Sequence, residues 1–358
     1  MRYTRGERHG RAVIGLALFM LMLGGSCDAK PQAQHNAASG RPVPVSGQWL
    51  VAYSRLEGDV GSIWLLDAGT GERRQLTRPV GNYFFDRDPQ MSPDQKLVAC
   101  CARGRDIAVV SVNGGGATVI ARGSEFGPKY TAPSFSPDGT KLCFQRDVDF
   151  RTDICVASVN GRGGMKQLTK ARQYERFGAA RFGPDGKHII FRHDGGTHIM
   201  DPNGTGRRKL GPSEYALSSD GRQAAYAQAG RLFIMNADGT KRRQLASGLA
   251  GVRSVVFSHD GKRIAFLAEC RDCRIRTYYA IALYVVASDG SALRRLTDGD
   301  AAFDAPQFSP DSSRLLYGLM VEDLDGKGTG NYNVYLSTIG VDGSNLRRLT
   351  YAHYIHGE

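Results

Sequence analysis

Apolar segments of about four residues recur along the chain, each bounded by residues that favour turns. Segments such as 141–144 and 263–266 have the length of β-strands and are shorter than ordinary helices. A Ser-Pro-Asp-Gly turn or a close variant precedes each of them. Proline presets φ, aspartate accepts backbone hydrogen bonds, and glycine adopts positive φ. The turn occurs at 92–95, 136–139, 183–186, 218–221, 258–261 and 309–312.

A second strand and a second turn follow each apolar segment. This turn contains Asn-Gly or Asp-Gly, the strongest short signal for a β-hairpin. It occurs at 113–114, 160–161, 203–204, 238–239, 289–290 and 342–343. A short last strand closes each unit, often ending in Leu-Thr. Four antiparallel strands repeating every 40–45 residues or so are typical of β-propeller blades.

The units predict an all-β fold, a β-propeller of four-stranded antiparallel blades. Six complete units and a partial unit at 49–77, which lacks its first strand, indicate seven blades. A six-bladed ring with extra terminal strands is the alternative. In the seven-bladed ring the missing strand is expected from the segment 351–358 or from the N-terminal tether, because pairing the two termini removes an open sheet edge.

The repeat resembles that of the TolB-type propeller family, most clearly at 132–139 continuing to Gln-Leu-Thr at 167–169, and at 305–310 continuing to Leu-Thr at 349–350. The resemblance covers about residues 48–350. It implies the propeller fold and a binding role in the cell envelope. The same repeat also occurs beside the catalytic domain of prolyl-oligopeptidase-type enzymes, so it says less about function than about fold.

The N-terminal residues 1–26 have the layout of an export signal. Four arginines precede the apolar run 12–23, and small residues lead to Cys27. We expect Cys27 to be lipidated and to anchor the protein to a membrane. Ordinary cleavage near Ser26 and a single-pass anchor are the alternatives. Residues 27–47 are interpreted as a flexible polar tether, and 48–358 as the propeller domain.

The formal net charge of +12 comes largely from arginine pairs at the start of the last strand of several units. These strands are outermost in a propeller, where charge discourages edge-to-edge pairing. The pairs are spread around the ring and form no single stripe, so no nucleic-acid partner is expected.

Binding residues are expected on one face of the ring. The Ser-Pro-Asp-Gly and Asn/Asp-Gly turns share the other face and are short and uniform. The variable loops carry aromatic and arginine residues, the types enriched at binding hot spots. The candidates are Tyr83, Phe85, Asp86, Arg87, Tyr130, Tyr174, Arg176, Phe303 and Asp304. For each aromatic, packing between blades is the competing interpretation. Two longer loops, 269–282 and 320–331, are expected to form one wall of the site.

The cysteines suggest little chemistry beyond a disulfide. Cys270 and Cys273 form a Cys-x-x-Cys, which in an exported protein favours a small loop disulfide over a redox motif or a zinc half-site. Cys143 and Cys155 lie on adjacent predicted strands, either bridged or as buried thiols.

No metal, cofactor or catalytic residue is expected. The histidines around 188–198 and the aspartates around 323–325 lack complete ligand sets, and no Gly-x-Ser-x-Gly, His-Glu-x-x-His or phosphate-binding loop occurs. The sequence therefore predicts a non-enzymatic envelope module that binds a protein partner through its variable loops. A propeller that binds carbohydrate or a small molecule, or acts as an enzyme, through its central pocket is the alternative.

Overall fold

The structure is a computed structural model that describes residues 49–57, 60–78, 86–211, 215–273, 280–299, 306–322, 332–349 and 354–355. The predicted signal, Cys27 and the tether lie outside the described residues. Within the described ranges the chain forms only β-strands, and no helix has the length and hydropathy needed to cross a membrane.

The strands fall into seven groups in chain order. The first three groups are β1 (Leu50–Glu57), β2 (Val60–Asp67), β3 (Arg73–Gln75); β4 (Arg87–Met91), β5 (Leu97–Ala102), β6 (Asp106–Ser111), β7 (Thr118–Ala121); and β8 (Lys129–Phe135), β9 (Lys141–Val148), β10 (Arg151–Ser158), β11 (Met165–Gln167). The next two are β12 (Gly178–Phe182), β13 (Ile189–His193), β14 (Gly196–Met200), β15 (Arg208–Gly211); and β16 (Tyr215–Leu217), β17 (Gln223–Gln228), β18 (Arg231–Asn236), β19 (Arg243–Gln244). The last two are β20 (Arg253–Phe257), β21 (Arg263–Glu269), β22 (Ile281–Ala287), β23 (Arg294–Arg295); and β24 (Gln307–Phe308), β25 (Arg314–Glu322), β26 (Tyr332–Gly340), β27 (Arg347–Arg348), β28 (Tyr354–Ile355).

Each group is one antiparallel sheet, paired in chain order, and the seven sheets are the blades of a β-propeller. The first strands of most neighbouring blades contact one another and are therefore innermost. The prediction of seven blades is confirmed, and the six-bladed alternative is wrong. Blade 1 has three described strands, as the missing first strand in the repeat indicated.

The C-terminal strand β28 pairs with β26 of blade 7, with Tyr332 opposite Ile355. It lies on the same side of β26 as β27 and pairs with an earlier part of that strand. The expectation that 351–358 supplies the missing strand of blade 1 is therefore not met by these residues.

Blade packing closes the ring. Apolar clusters lie between neighbouring blades because every blade is apolar on both faces. At the closure, Val51, Tyr53 and Leu66 of blade 1 pack with Leu316 and Leu336 of blade 7.

Hydrogen bonding explains the recurring turn. In blade 3 the Ser136 hydroxyl donates to Asp138 at 2.5 Å and accepts from the Lys141 amide at 2.9 Å. The same carboxylate accepts from the Thr140 amide. The Ser136 hydroxyl holds the pKa of the Asp138 carboxyl below its usual value, with help from Thr140. The serine–aspartate pair recurs in blades 2, 5, 6 and 7.

The arginine pairs link neighbouring blades. Adjacent residues of a strand point to opposite faces, so one member of each pair covers its own blade and the other reaches the next. At the ring closure, Arg348 lies 5.4 Å over the Tyr335 ring and Arg347 donates to the Gly69 carbonyl of blade 1 at 2.6 Å. Equivalent bonds from an outer strand to the last turn of the next blade run from Arg74, Lys166, Arg208, Arg243 and Arg294. Much of the basic charge therefore has a structural role.

Candidate functional site

The variable loops lie on one end of the ring, here called the loop face, as the strand order predicted. It carries the hairpins between the second and third strands of each blade and the connections between blades. Tyr83, Phe85, Phe303 and Asp304 belong to these connections but lie outside the described residues. So do 274–279 and 323–331, the central parts of the two longer loops.

Two of the predicted binding residues are buried. Tyr130 is 6 % exposed and packs edge-to-face on Phe144 with ring centroids 5.8 Å apart. Asp86 is also 6 % exposed, and its carboxylate accepts a hydrogen bond from the Arg103 amide. Both side chains hold blades and hairpins in place, so neither is available to a partner. The packing interpretation is the correct one for Tyr130.

The connection 168–177 between blades 3 and 4 is rigidly held. The Asp153 carboxylate accepts hydrogen bonds from Thr169 and from the Ala171 amide. The Thr152 amide donates to the Glu175 carbonyl, and the Thr152 carbonyl accepts from the Phe177 amide at 2.9 Å. The connection 168–177 is therefore held against the start of strand β10 by hydrogen bonds.

This anchoring projects Tyr174 into solvent. The Glu175 carboxylate accepts from the Arg172 amide at 2.7 Å and closes a tight turn in which Tyr174 has φ +66°. Tyr174 is 72 % exposed. Arg176, the next predicted binding residue, lies on the same loop, and its guanidinium has no ion-pair partner among the described residues.

Phe150 is the residue that sequence reasoning missed. It occupies the second position of the two-residue hairpin between β9 and β10, where Asp149 and Phe150 have φ of +48° and +63°. A type I′ hairpin with these angles favours glycine at that position. The matching hairpins of blades 4 and 5 have Gly195 and Gly230 there. Aligning the hairpins of successive units would have revealed the exception.

We give the name aromatic patch to three exposed side chains on the loop face, which are the paired Phe150 and Tyr174 and, on the preceding connection, Phe126. The Phe150 and Tyr174 rings lie 5.9 Å apart, and Phe126, on the connection before blade 3, is 98 % exposed. Gly127, beside Phe126, lines the same open cleft as Phe150 and Arg176. Exposed aromatic side chains beside an unpaired arginine provide the chemistry of a binding hot spot.

The cysteine predictions have separate outcomes. Cys270 and Cys273 are joined by a disulfide, and the Arg295 guanidinium lies 3.1 Å from the Cys270 sulfur. Cys143 and Cys155 are buried free thiols. Cys143 lies opposite Val156 in the register, so the two thiols face opposite sides of blade 3. Burial raises the pKa of each to about 12.

The histidines belong to a stacked cluster beside the patch. His193 stacks on Phe177 with centroids 4.3 Å apart and lies 5.4 Å from His198. Burial, with Arg207 and His193 nearby, lowers the pKa of His198. In the described part of the chain, no group of three or more His, Cys, Asp or Glu side chains is arranged to hold a metal ion.

These features define a seven-bladed β-propeller of antiparallel blades. The structure is similar to an oligogalacturonate lyase in complex with manganese (TM-score 0.59, 17 % identity, covering 75 % of this chain and 82 % of the lyase). It is also similar to a puromycin-hydrolyzing peptidase from Mycobacterium tuberculosis (TM-score 0.54, 18 % identity, covering 78 % of this chain and 49 % of the peptidase). TolB from Acinetobacter baumannii matches with TM-score 0.49 and 14 % identity over 85 % of this chain and 80 % of TolB.

No protein-family model matches the sequence, and no curated protein matches it. The structural similarity therefore establishes the fold. It also overturns the prediction that the chain is not an enzyme, because the fold is shared with a lyase and a peptidase. The prediction inferred too much from missing motifs, since one fold hosts many functions and catalytic groups need not be contiguous in sequence.

Proposed function

We propose that the protein binds a partner protein in the cell envelope through the aromatic patch on its loop face. The observation that carries this proposal is Phe150, a large aromatic side chain that is 69 % exposed at a backbone position that suits glycine. Non-glycine residues in such conformations are strained and concentrate at functional sites. Folding alone would favour the glycine found in blades 4 and 5.

Several features support a protein rather than a small molecule as the ligand. The patch is exposed, and its aromatic rings bring large contact area with few rotatable bonds. Arg176 adds an unpaired cation, while Asp149 is already paired with Arg151 at 3.3 Å. Tyr83, Phe85, Phe303 and Asp304 are proposed to extend the surface around the same face, with Arg87 at its inner side.

We also propose that the propeller is exported and held at a membrane by a lipid on Cys27, with 27–47 as the tether. The basic, apolar and small-residue order of 1–26 supports export. Incorporation of an alkyne fatty acid into the wild type, and its loss in Cys27→Ala, would support the anchor. Equal labelling of both proteins would refute it.

Site-specific photocrosslinking in cells tests the patch. A photoreactive residue is placed at Phe126, Phe150 or Tyr174, and in controls at Leu293 or Leu346, which are exposed apolar residues on the opposite face. We expect one protein adduct common to the three patch positions and absent from both controls. Adducts that are the same on both faces, or different at each patch position, would contradict a single docking site.

A catalytic role at the inner strands is a second candidate, supported by Asp88 on β4. Asp88 has φ +53°, and burial raises the pKa of its carboxyl. A carboxyl that stays protonated at higher pH is suited to general acid catalysis. Arg87 lies beside it, with Nε 3.9 Å from the Asp88 carboxylate. Turnover of any polysaccharide or peptide substrate that Asp88→Asn abolishes, while Phe150→Gly retains it, would favour this role over docking.

A further inference from the structure

An open cleft of about 510 Å³ lies at the outer rim between blades 3 and 4. We call it the rim cleft. Its lining residues are Leu168, Thr169, Lys170, Arg172, Glu175, Phe177, Met200, Gly204 and Arg207. None of them belongs to the aromatic patch, so the cleft is a separate site.

Positive charge in the rim cleft exceeds negative charge. Lys170, Arg172 and Arg207 line it, and none of the three side chains has a carboxylate partner within the described residues. The only carboxylate among the lining residues, Glu175, is engaged by the Arg172 amide at 2.7 Å and lies 3.5 Å from His193 Nε2. Unlike the arginines that link neighbouring blades, these cations remain available for a ligand.

Arg207 is already oriented. Its guanidinium lies 4.6 Å over the Phe177 ring and 5.7 Å from the Phe191 ring. Stacking fixes the guanidinium plane and leaves its N–H edge free, and that edge matches a carboxylate in bidentate geometry. Less side-chain freedom is lost when a ligand binds to a group held in this way.

The cleft lining also has an apolar component. Phe177 and Met200 are buried at its floor, and Leu168 is half-buried beside them. Because Phe177 and Met200 are only 2 % and 1 % exposed, Leu168 is the apolar side chain that a ligand can contact, and a small inorganic anion would use the cations alone. A carboxylate carried on an apolar stem uses both.

We propose that the rim cleft binds an acidic peptide segment, with a glutamate or aspartate carboxylate on the Arg207 guanidinium. Lys170 and Arg172 supply the surrounding positive field. This site is additional to docking at the aromatic patch, and the proposal does not depend on it.

Fluorescence anisotropy with a labelled peptide of alternating glutamate and leucine tests the proposal on the full-length protein. We expect binding that weakens with salt, and no binding of the matched glutamine and leucine peptide. Arg207→Gln should weaken binding about ten-fold, because losing a hydrogen bond between two charged groups lowers affinity by about that factor. The double variant Lys170→Gln/Arg172→Gln gives a second test that leaves the Arg207 stacking intact.

Two controls separate this site from general attraction to a basic protein. Arg162→Gln removes an exposed arginine from the opposite face and should leave the affinity unchanged. Phe150→Gly alters the aromatic patch and should also leave the affinity for the peptide unchanged. Equal losses in Arg162→Gln and Arg207→Gln would overturn the proposal, as would displacement of the peptide by inorganic phosphate at the same concentration.

An NMR titration of His198 locates the ligand. Arg207 contributes to lowering the pKa of His198, so an anion placed on Arg207 should raise it. The glutamate peptide should therefore shift the His198 titration to higher pH, and the glutamine peptide should not. If the pKa of His198 stays unchanged when the protein is saturated with the glutamate peptide, the ligand binds elsewhere and the proposal is refuted.

Discussion

Replacing Phe150 with glycine separates the stability of the hairpin from its function. The change produces an Asp-Gly hairpin, as at 194–195 in blade 4, without altering the strand register. Phe150 is 69 % exposed, so little buried apolar surface is lost. We expect the free energy of unfolding of the variant to be no more than about 0.5 kcal/mol below that of the wild type. We also expect the variant to lose the crosslink between the patch and its partner.

The magnitude follows from three opposing contributions. A left-handed conformation costs a residue with a side chain roughly 1–2 kcal/mol, and Phe150→Gly removes that cost. Glycine loses more backbone entropy on folding, and this loss cancels roughly 0.5–1 kcal/mol of the stabilisation. The contact between the Phe150 and Tyr174 rings, 5.9 Å apart and both exposed, offsets about 0.5 kcal/mol more. The free energy of unfolding should therefore change by between about −0.5 and about +1 kcal/mol.

Urea unfolding followed by tryptophan fluorescence measures this change from the shift in midpoint at constant slope. The reverse substitution, Gly195→Phe, is the matched control. Gly195 has φ +66°, and no heavy atom lies within 4 Å of the point that a Cβ would occupy there. Backbone strain alone should therefore destabilise Gly195→Phe by roughly 1–2 kcal/mol. A loss of more than about 1 kcal/mol in Phe150→Gly, or no loss in Gly195→Phe, would refute the assignment of strain to this position.

Three further predictions concern the scaffold. Arg347→Gln, which removes the bond from blade 7 to blade 1, should lower the free energy of unfolding by about 1 kcal/mol, and hydrogen exchange should rise first in blade 1. The double variant Cys270→Ala/Cys273→Ala should cost at most about 2 kcal/mol because the closed loop is short, and a reductant should lower the melting temperature of the wild type but not of the variant. Because the Asp138 pKa is depressed, its contribution to stability is present above the ordinary aspartate value of 3.8 and is lost as pH falls below it. Ser136→Ala should therefore flatten the fall in urea midpoint as the pH drops from about 4 to about 2, and an unchanged profile would contradict the Ser136 assignment.

The fold could be predicted because its determinants are local and repeated. Each turn combines a serine, an aspartate and a following amide within six residues, so the sequence of one turn contains its whole hydrogen-bond pattern. Repetition then indicates the blade count. The place of the last strand could not be predicted in the same way, because the sequence around β28 carries no repeat motif that would indicate its pairing with β26.

The candidate site was predicted only in part, for a different reason. Aromatic type alone does not distinguish Tyr130, buried against Phe144, from Tyr174, exposed on its turn. The deciding quantities are the register of β8 and the bonds that hold 168–177, and both are tertiary. Phe150 was identifiable in principle, since the strict two-residue hairpin makes its departure from glycine visible in the sequence.

Repetition makes departures from the pattern informative. The seven blades pack in the same way, so a residue that recurs at the same position in several blades is explained by folding. The paired arginines are an example, because they bond to the next blade. Phe150 breaks the hairpin rule, and Lys170 and Arg172 belong to no arginine pair and have no carboxylate partner among the described residues. These exceptions all lie in or beside blade 3, on either side of the connection 168–177. Because folding does not require them there, binding is the better physical explanation for their position.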